Sequence, residues 1–220
     1  MDTTALGEHS AASRRRFLQA VGLGGALAAL PLVARSAGAQ STSTTEEATT
    51  TTAPPKRPTE ADTGLLAFAQ TVELAAVEAY ASALDRSEEL AIPAESIPVL
   101  QVFREHHIAY ASNLAGFLGR DAPNSSNQAV LDELGEPFSS GSLQEVLEAA
   151  AALEDAAVST HLTILGELEG TDGTALLASI IPVAARHATV LGALAGNDLA
   201  MPTGDEDLSN ALSPDDFPVE

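Results

Sequence analysis

Four long alanine- and leucine-rich segments occupy most of the chain between residues 61 and 196. Within each segment, apolar residues recur at intervals of three and four, which is the period of an amphipathic α-helix. Short stretches containing Gly, Pro, Asn and Ser separate the segments, as expected of turns. Because amphipathic helices bury their apolar faces against one another, the pattern predicts an all-α fold, an antiparallel four-helix bundle. The predicted helices cover residues 63–84, 96–118, 142–169 and 174–195.

Local signals support these boundaries. Ser142 followed by Glu145 has the spacing of a capping box, which favours a helix start. Pro98 is tolerated in the first turn of the second helix. The connection between the second and third helices has room for one short helix at residues 129–134.

The composition restricts the chemistry that such a bundle can carry. Hydrophobic residues make up 45% of the chain but aromatic residues only 4%, which favours helices over strands. The 31 acidic and 10 basic residues give a net charge of -21, so we expect no nucleic-acid partner. Without cysteine, disulfides and thiolate-bound metals are excluded. Any metal must be held by carboxylates and imidazoles.

The first 39 residues have the layout of an export signal. Three arginines at positions 14–16 precede Phe17 and Leu18, an apolar stretch follows, and Ala37-Gly38-Ala39 provides a cleavage site. The paired arginines and the glycine-containing apolar stretch resemble a twin-arginine signal. This implies the twin-arginine export machinery as a partner and the periplasm, cell wall or extracellular space as the location. A retained membrane anchor is the alternative, which the glycines and Pro31 disfavour, so we expect no stable membrane insertion after cleavage.

Two further segments flank the predicted bundle. Residues 40–60 are rich in Thr and Pro and predict an extended linker. Residues 197–220 contain several prolines and carboxylates and predict an acidic, mostly irregular tail. A homo-oligomer is compatible with the sequence, but no feature specifies one.

Each predicted helix has ionisable residues on its otherwise apolar face. The helical period places these side chains near the middle of the bundle, where the four helices meet, and it favours His107 over the adjacent His106. The same period predicts that Phe117 points inward. The inward ionisable residues are Glu73, His107, Glu154, His161 and His187.

Buried carboxylates without partners would destabilise the fold by several kcal/mol, so Glu73 and Glu154 need a counter-charge. Two carboxylates and up to three imidazoles are a suitable shell for a divalent transition metal. A network of glutamates and histidines without metal would satisfy the same requirement. The residues by themselves leave both interpretations open.

Two runs in the predicted helices resemble a known family. Residues 66–80 read LAFAQTVELAAVEAY and residues 183–188 read VAARHA, which are similar to the first and last helices of the ferritin-like superfamily, particularly its exported members. The resemblance implies a ferritin-like bundle. It also implies a di-metal site with a Glu from each of two helices and a Glu-x-x-His pair from each of the other two.

The resemblance transfers only part of that ligand set. Glu73, Glu154 and His187 match ligand positions, whereas Ala184 stands where the fourth helix should supply Glu. His107 and Tyr110 stand where the second helix should supply Glu and His. The resemblance therefore implies a degenerate site. The predicted metal ligands are Glu73, His107, Glu154 and His187, for iron or another divalent transition metal.

Three functions follow as hypotheses. The first is an exported ferritin-like protein that is non-catalytic or binds a single metal ion. The second is a di-metal oxidoreductase acting on ferrous iron or peroxide. The third is an extracytoplasmic stress-protection or interaction protein without metal, which the acidic exterior would suit.

Overall fold

The computed structural model of the protein describes residues 53–197 and 208–219. The predicted export signal and residues 40–52 of the predicted linker lie outside these ranges. Within the ranges the chain forms six α-helices and no strand, which confirms the predicted all-α fold. The helices are α1 (Glu60–Asp85), α2 (Ile97–Leu118), α3 (Gln128–Leu134), α4 (Glu136–Ser140), α5 (Leu143–Glu167) and α6 (Thr171–Leu194).

The four long helices form an antiparallel bundle made of two hairpins. α1 packs along α2 and α5 packs along α6, while α1 also contacts α5 and α2 contacts α6. Two hydrogen-bonded pairs show that α1 and α5 run in opposite directions. Glu73 meets His161, and Tyr80, about two turns later in α1, meets Glu154, about two turns earlier in α5. The middles of all four helices therefore lie at one level.

A long crossover joins the two hairpins. Residues 119–142 connect the end of α2 to the start of α5 and contain both short helices, of which the sequence predicted only α3. The backbone N–H of Asn127 donates to the Thr71 carbonyl at 3.0 Å, and the Ser82 hydroxyl donates to the Phe138 carbonyl at 3.1 Å. Because Phe138 is also buried, α4 is held by tertiary packing that a five-residue helix cannot reveal in its sequence.

Two capping boxes define the starts of α1 and α5. At α1, the Thr59 hydroxyl accepts from the Asp62 backbone N–H, and the Asp62 carboxylate accepts from the Thr59 N–H. At α5, Ser142 and Glu145 make the reciprocal pair that the sequence pattern indicates. Each box satisfies backbone N–H groups that a helix start otherwise leaves free.

The start of α6 is capped by another part of the chain. Gly170 precedes the helix and has no side chain to cap it. Instead, the N–H groups of Thr171 and Asp172 donate to the carbonyls of Pro55 and Lys56 at 3.0 and 2.8 Å. The segment before α1 is therefore part of the folded unit at this end of the bundle.

Residues 208–219 lie against the bundle. The Leu212 N–H donates to the Thr160 hydroxyl at 2.8 Å, and the Asn127 side chain donates to the Phe217 carbonyl at 3.0 Å. The side chains of Leu212 and Phe217 pack against the core. The sequence pattern indicates an irregular segment here but contains no signal for this docking.

The inward face of α2 differs from the sequence expectation at its last turn. Phe117 was expected to point inward, but it is 39% exposed, and the neighbouring Leu118 is buried. An α-helix drifts by roughly 20° for every seven residues relative to a strict seven-residue repeat. By the last turn of α2, the accumulated drift brings Leu118 to the core.

In the part of the chain that the structure describes, one helix is long and apolar enough to cross a membrane by length and composition. This helix is α6, and 44% of its most apolar stretch is buried inside the bundle. A core helix of a bundle passes the same test, and α6 carries His187 on its buried face.

Candidate metal centre

Five ionisable side chains meet in the middle of the bundle, where the sequence pattern indicated they would. α1 and α2 each contribute one, α5 contributes two and α6 one. All of them are between 0% and 3% exposed. They are Glu73, His107, Glu154, His161 and His187.

His107 lies between the two carboxylates. Its Nδ1 is 2.6 Å from Glu73 Oε2, and its Nε2 is 3.1 Å from Glu154 Oε1. Burial lowers the pKa of an imidazole, but the charges of Glu154 and Glu73 outweigh it and raise the pKa of His107 to about 10. Without a metal, His107 is thus protonated at neutral pH and donates to both carboxylates.

Glu73 has a partner at each oxygen. Besides His107, it contacts His161, whose Nε2 is 2.6 Å from Glu73 Oε1. Burial alone would raise the pKa of Glu73, but the two histidines hold it at about 2. The other ring nitrogen of His161, Nδ1, is buried and has no hydrogen-bond partner within the described ranges.

Glu154 is bonded through one oxygen only. Its Oε1 accepts from the Tyr80 hydroxyl at 2.5 Å and lies 3.1 Å from both His107 Nε2 and His187 Nδ1. Its Oε2 is buried and has no hydrogen-bond partner among the residues that the structure describes. Burial would raise the pKa of Glu154, but the facing histidines, His107 foremost, keep it at about 2. A buried carboxylate oxygen without a donor keeps lone pairs that are available to a further ligand.

Tyr80 keeps its proton. Burial, followed by the charge of Glu154, raises the pKa of Tyr80 well above its usual range. The hydroxyl therefore donates to Glu154 across the neutral pH range. The Tyr80 ring also stacks on the His107 ring, with 5.5 Å between the ring centroids, so it closes one side of the centre.

The ring of His187 is held by two residues of α2. Its Nε2 is 3.0 Å from Nδ1 of His106, and Phe103 stacks on its face with 3.9 Å between the ring centroids. His106 is partly exposed, and burial together with His187 lowers its pKa. The sequence pattern favoured His107 over His106 as the inward residue, and the burial of His107 confirms this, whereas the partly exposed His106 contacts the nitrogen of His187 that faces away from Glu154.

Three of the predicted ligands form a group that can hold one metal ion. One ligand atom from each of His107, Glu154 and His187 lies within 4.8 Å of the others. Glu73 is outside this group, because its oxygens contact the opposite nitrogen of His107 and His161. The assignment of Glu73 as a direct ligand stays a prediction, and its contacts are those of a residue that orients His107.

A family model described as the ferritin-like domain matches residues 61–197. The match covers more than half of the chain and contains all four long helices except the first residue of α1. The chain belongs to the ferritin-like family. No curated protein and no solved structure matches it significantly. Residues 1–60 lie outside the matched region, so the twin-arginine signal stays a prediction.

The residues of this ferritin-like domain do not fit two metal ions. A di-metal site needs bridging carboxylates to neutralise and hold both ions. At the positions to which the sequence resemblance assigns a Glu and a His, Ala184 is buried on α6 and Tyr110 is only partly buried on α2. Among the described residues, Glu73 and Glu154 are the carboxylates buried at this level. Two buried carboxylates are fewer than the four that a di-metal site of this type uses, so the donor set suits one ion rather than two.

Proposed function

We propose that this ferritin-like protein is exported and binds one divalent transition metal ion through His107, Glu154 and His187, without di-metal redox chemistry. The observation that carries the proposal is the convergence of the three ligand atoms within 4.8 Å in the core. The unpartnered Oε2 of Glu154 supports it, because a buried carboxylate oxygen without a donor is satisfied by a cation.

The donor set narrows the choice of metal. Two imidazoles and one carboxylate are the protein ligands of many mononuclear Fe²⁺ sites and of some Zn²⁺ sites. Such an ion, when bound, would act as a Lewis acid. Both His107 and His187 also have a partner at the ring nitrogen that faces away from Glu154, as metal-bound histidines usually do.

The enclosure of the centre favours a non-catalytic role. The three proposed ligands are at most 3% exposed. Tyr80 stacks on His107 and Phe103 stacks on His187, so aromatic rings cover both imidazoles. A catalytic metal needs an open coordination position that a substrate can reach. We therefore propose a metal that stabilises the fold or is stored.

The metal-free hypothesis is supported by a specific observation. Both oxygens of Glu73 are 2.6 Å from histidine nitrogens, and His107 joins the two carboxylates. This network compensates much of the buried charge without an ion. A stress-protection or interaction protein of this kind would keep its fold and any partner in the presence of a chelator.

Metal analysis of the full-length chain, exported through its own signal, separates the hypotheses. We expect about one equivalent of transition metal per chain after loading. Glu154→Gln and His187→Gln should lose it, and the exposed Glu105→Gln on α2 should keep it. No bound metal would support the metal-free network. Two irons per chain with oxidation of ferrous iron would support the di-metal oxidoreductase instead.

Export is tested separately. Arg14→Lys combined with Arg15→Lys keeps the charge of the signal but removes the arginine pair. If the twin-arginine route carries the protein, the double variant stays inside the cell, and the exported wild type begins near Gln40. Normal export of the double variant would contradict the proposal.

A further inference from the structure

His187 has a hydrogen-bonding partner at each ring nitrogen. Nδ1 lies 3.1 Å from Glu154 Oε1, and Nε2 lies 3.0 Å from Nδ1 of His106. A neutral imidazole carries a proton on only one nitrogen. The neighbour that takes this proton therefore determines which nitrogen of His187 presents a lone pair.

The two possible arrangements have opposite consequences at Glu154. If Nδ1 of His187 carries the proton, it donates to Glu154, and no lone pair is available for a metal. If Nε2 carries the proton, it donates to Nδ1 of His106, and the lone pair of Nδ1 faces the carboxylate. Two facing acceptors repel each other unless a cation lies between them, so the second arrangement is the one that a metal ion stabilises.

We propose that His106 is the positioning residue that makes His187 a metal ligand, by accepting a hydrogen bond from Nε2 of His187 in the metal-bound protein. This inference rests on the proposed function. It gives His187 the same kind of support that Glu73 gives His107, whose Nδ1 it contacts at 2.6 Å. Each histidine ligand then has an acceptor at the nitrogen that faces away from the metal.

The surroundings of His106 suit this role. The rings of His106 and His187 are nearly parallel, at 8°, which allows a hydrogen bond in the ring plane. Phe103, one turn before His106 on α2, covers the face of His187 and restricts its rotation. His106 is partly exposed, whereas His187 is buried.

Cobalt titration of the full-length protein tests the inference, since Co²⁺ reports its ligands through visible absorption. We expect His106→Ala to weaken Co²⁺ binding about 10- to 100-fold. His106→Asn, whose side-chain carbonyl can accept from His187, should restore most of the affinity. Gln101→Ala, an exposed change on the same helix, is the matched control and should bind like the wild type.

A second measurement is independent of the variants and of their folding. In Zn²⁺-loaded protein with ¹⁵N-labelled histidine, NMR should find the proton of His187 on Nε2 and no proton on Nδ1 of His106. If the contact between His106 and His187 were only structural, it would not require the proton to lie on Nε2 of His187. A proton on Nδ1 of His106 in the loaded protein would overturn the inference.

The failures are distinguishable. Wild-type protein that binds neither Co²⁺ nor Zn²⁺ overturns both the proposed function and the role of His106. Wild-type affinity in His106→Ala, or equal weakening in His106→Ala and His106→Asn, overturns the role of His106 alone and leaves the metal site in place.

Discussion

At the scale of single residues, the centre depends on how buried charges are paired. Glu73 and Glu154 are almost completely buried, and each is kept ionised by histidines that contact it within 3.1 Å. Among the histidines that the structure describes, His107 alone contacts both carboxylates. Removing one partner of such a network leaves another charge buried without compensation, which costs more than the pair contributes when intact.

Glu73→Gln tests this pairing. The substitution keeps the shape of the side chain but removes the charge that faces His107 and His161. We expect the free energy of unfolding of the metal-free protein to fall by about 3 to 5 kcal/mol. Urea denaturation measures this free energy of unfolding, and Glu105→Gln, an exposed change on α2, is the control. A loss below about 1 kcal/mol, the value typical of exposed pairs, would contradict the buried network.

At the scale of helices, one buried carboxylate links two parts of the chain at one end of the bundle. Asp62 is 1% exposed and accepts backbone N–H groups from Thr59, Glu169 and Gly170 at 2.9, 2.8 and 2.9 Å. It thereby links the start of α1 to the connection between α5 and α6. A sequence pattern indicates capping within one helix, but not this link between helices.

The contribution of Asp62 should depend on pH. Burial would raise the pKa of Asp62, but the backbone N–H groups lower it below the ordinary 3.8. Because the pKa of Asp62 is lower in the folded than in the unfolded state, its ionised form stabilises the fold at any pH above the unfolded-state pKa. This stabilisation is lost as the pH falls from the unfolded-state pKa through the folded-state pKa. Asp62→Asn should lower the unfolding free energy by about 1 to 3 kcal/mol at pH 7. The difference from wild type should shrink in urea titrations below the ordinary pKa; a constant difference would argue against ionised Asp62.

Two glycines near the junction of α5 and α6 should respond oppositely to alanine, since Gly166 lies in the last turn of α5 and Gly170 directly precedes α6. A Cβ at Gly170 would lie 2.7 Å from the Arg57 carbonyl oxygen and 2.8 Å from Asp62 Oδ2, so Gly170→Ala should destabilise by about 1 to 3 kcal/mol. A Cβ at Gly166 meets nothing within 4 Å, so Gly166→Ala in α5 should stabilise by about 0.5 to 1 kcal/mol. Thermal unfolding of the two variants gives the signs, and a stable Gly170→Ala would mean that the junction is looser than described.

At the scale of the whole molecule, the folded unit is larger than four helices. The segment before α1 caps α6 through Pro55 and Lys56, and residues 208–219 contact both the crossover and α5. These flanking segments close the bundle on the side of the crossover and at the end where α6 starts. Residues 53–59 and 208–219, which flank the four-helix bundle in the sequence, are therefore expected to contribute to its stability.

Phe217→Ala tests whether the C-terminal segment stabilises the bundle. Phe217 is partly buried against the core, so its truncation should cost about 1 to 2 kcal/mol, less than for a fully buried ring. Val219→Ala, 39% exposed in the same segment, should change little. Calorimetry gives the melting temperature of each variant. Equal melting temperatures for Phe217→Ala and Val219→Ala would show that the C-terminal segment does not contribute to stability.

Helical periodicity was enough to predict the bundle and to select Glu73, His107, Glu154, His161 and His187 as inward residues, because a helix repeats its buried face with a fixed period. It could not select His106, whose contact with the centre depends on where α6 places His187. Nor could it predict Tyr80 as the donor to Glu154, since a Tyr on an apolar face also fits an ordinary core.

The sequence by itself determined that the chain folds into four amphipathic helices without thiol chemistry, and that two carboxylates would face the core with histidines. Local period and residue chemistry suffice for that. Only the tertiary structure decided which nitrogen meets which oxygen, that Glu73 lies outside the three-residue group, and that Oε2 of Glu154 has no partner in the described part of the chain. These outcomes depend on the relative rotation and depth of helices far apart in the chain, which side-chain packing sets to fractions of an ångström.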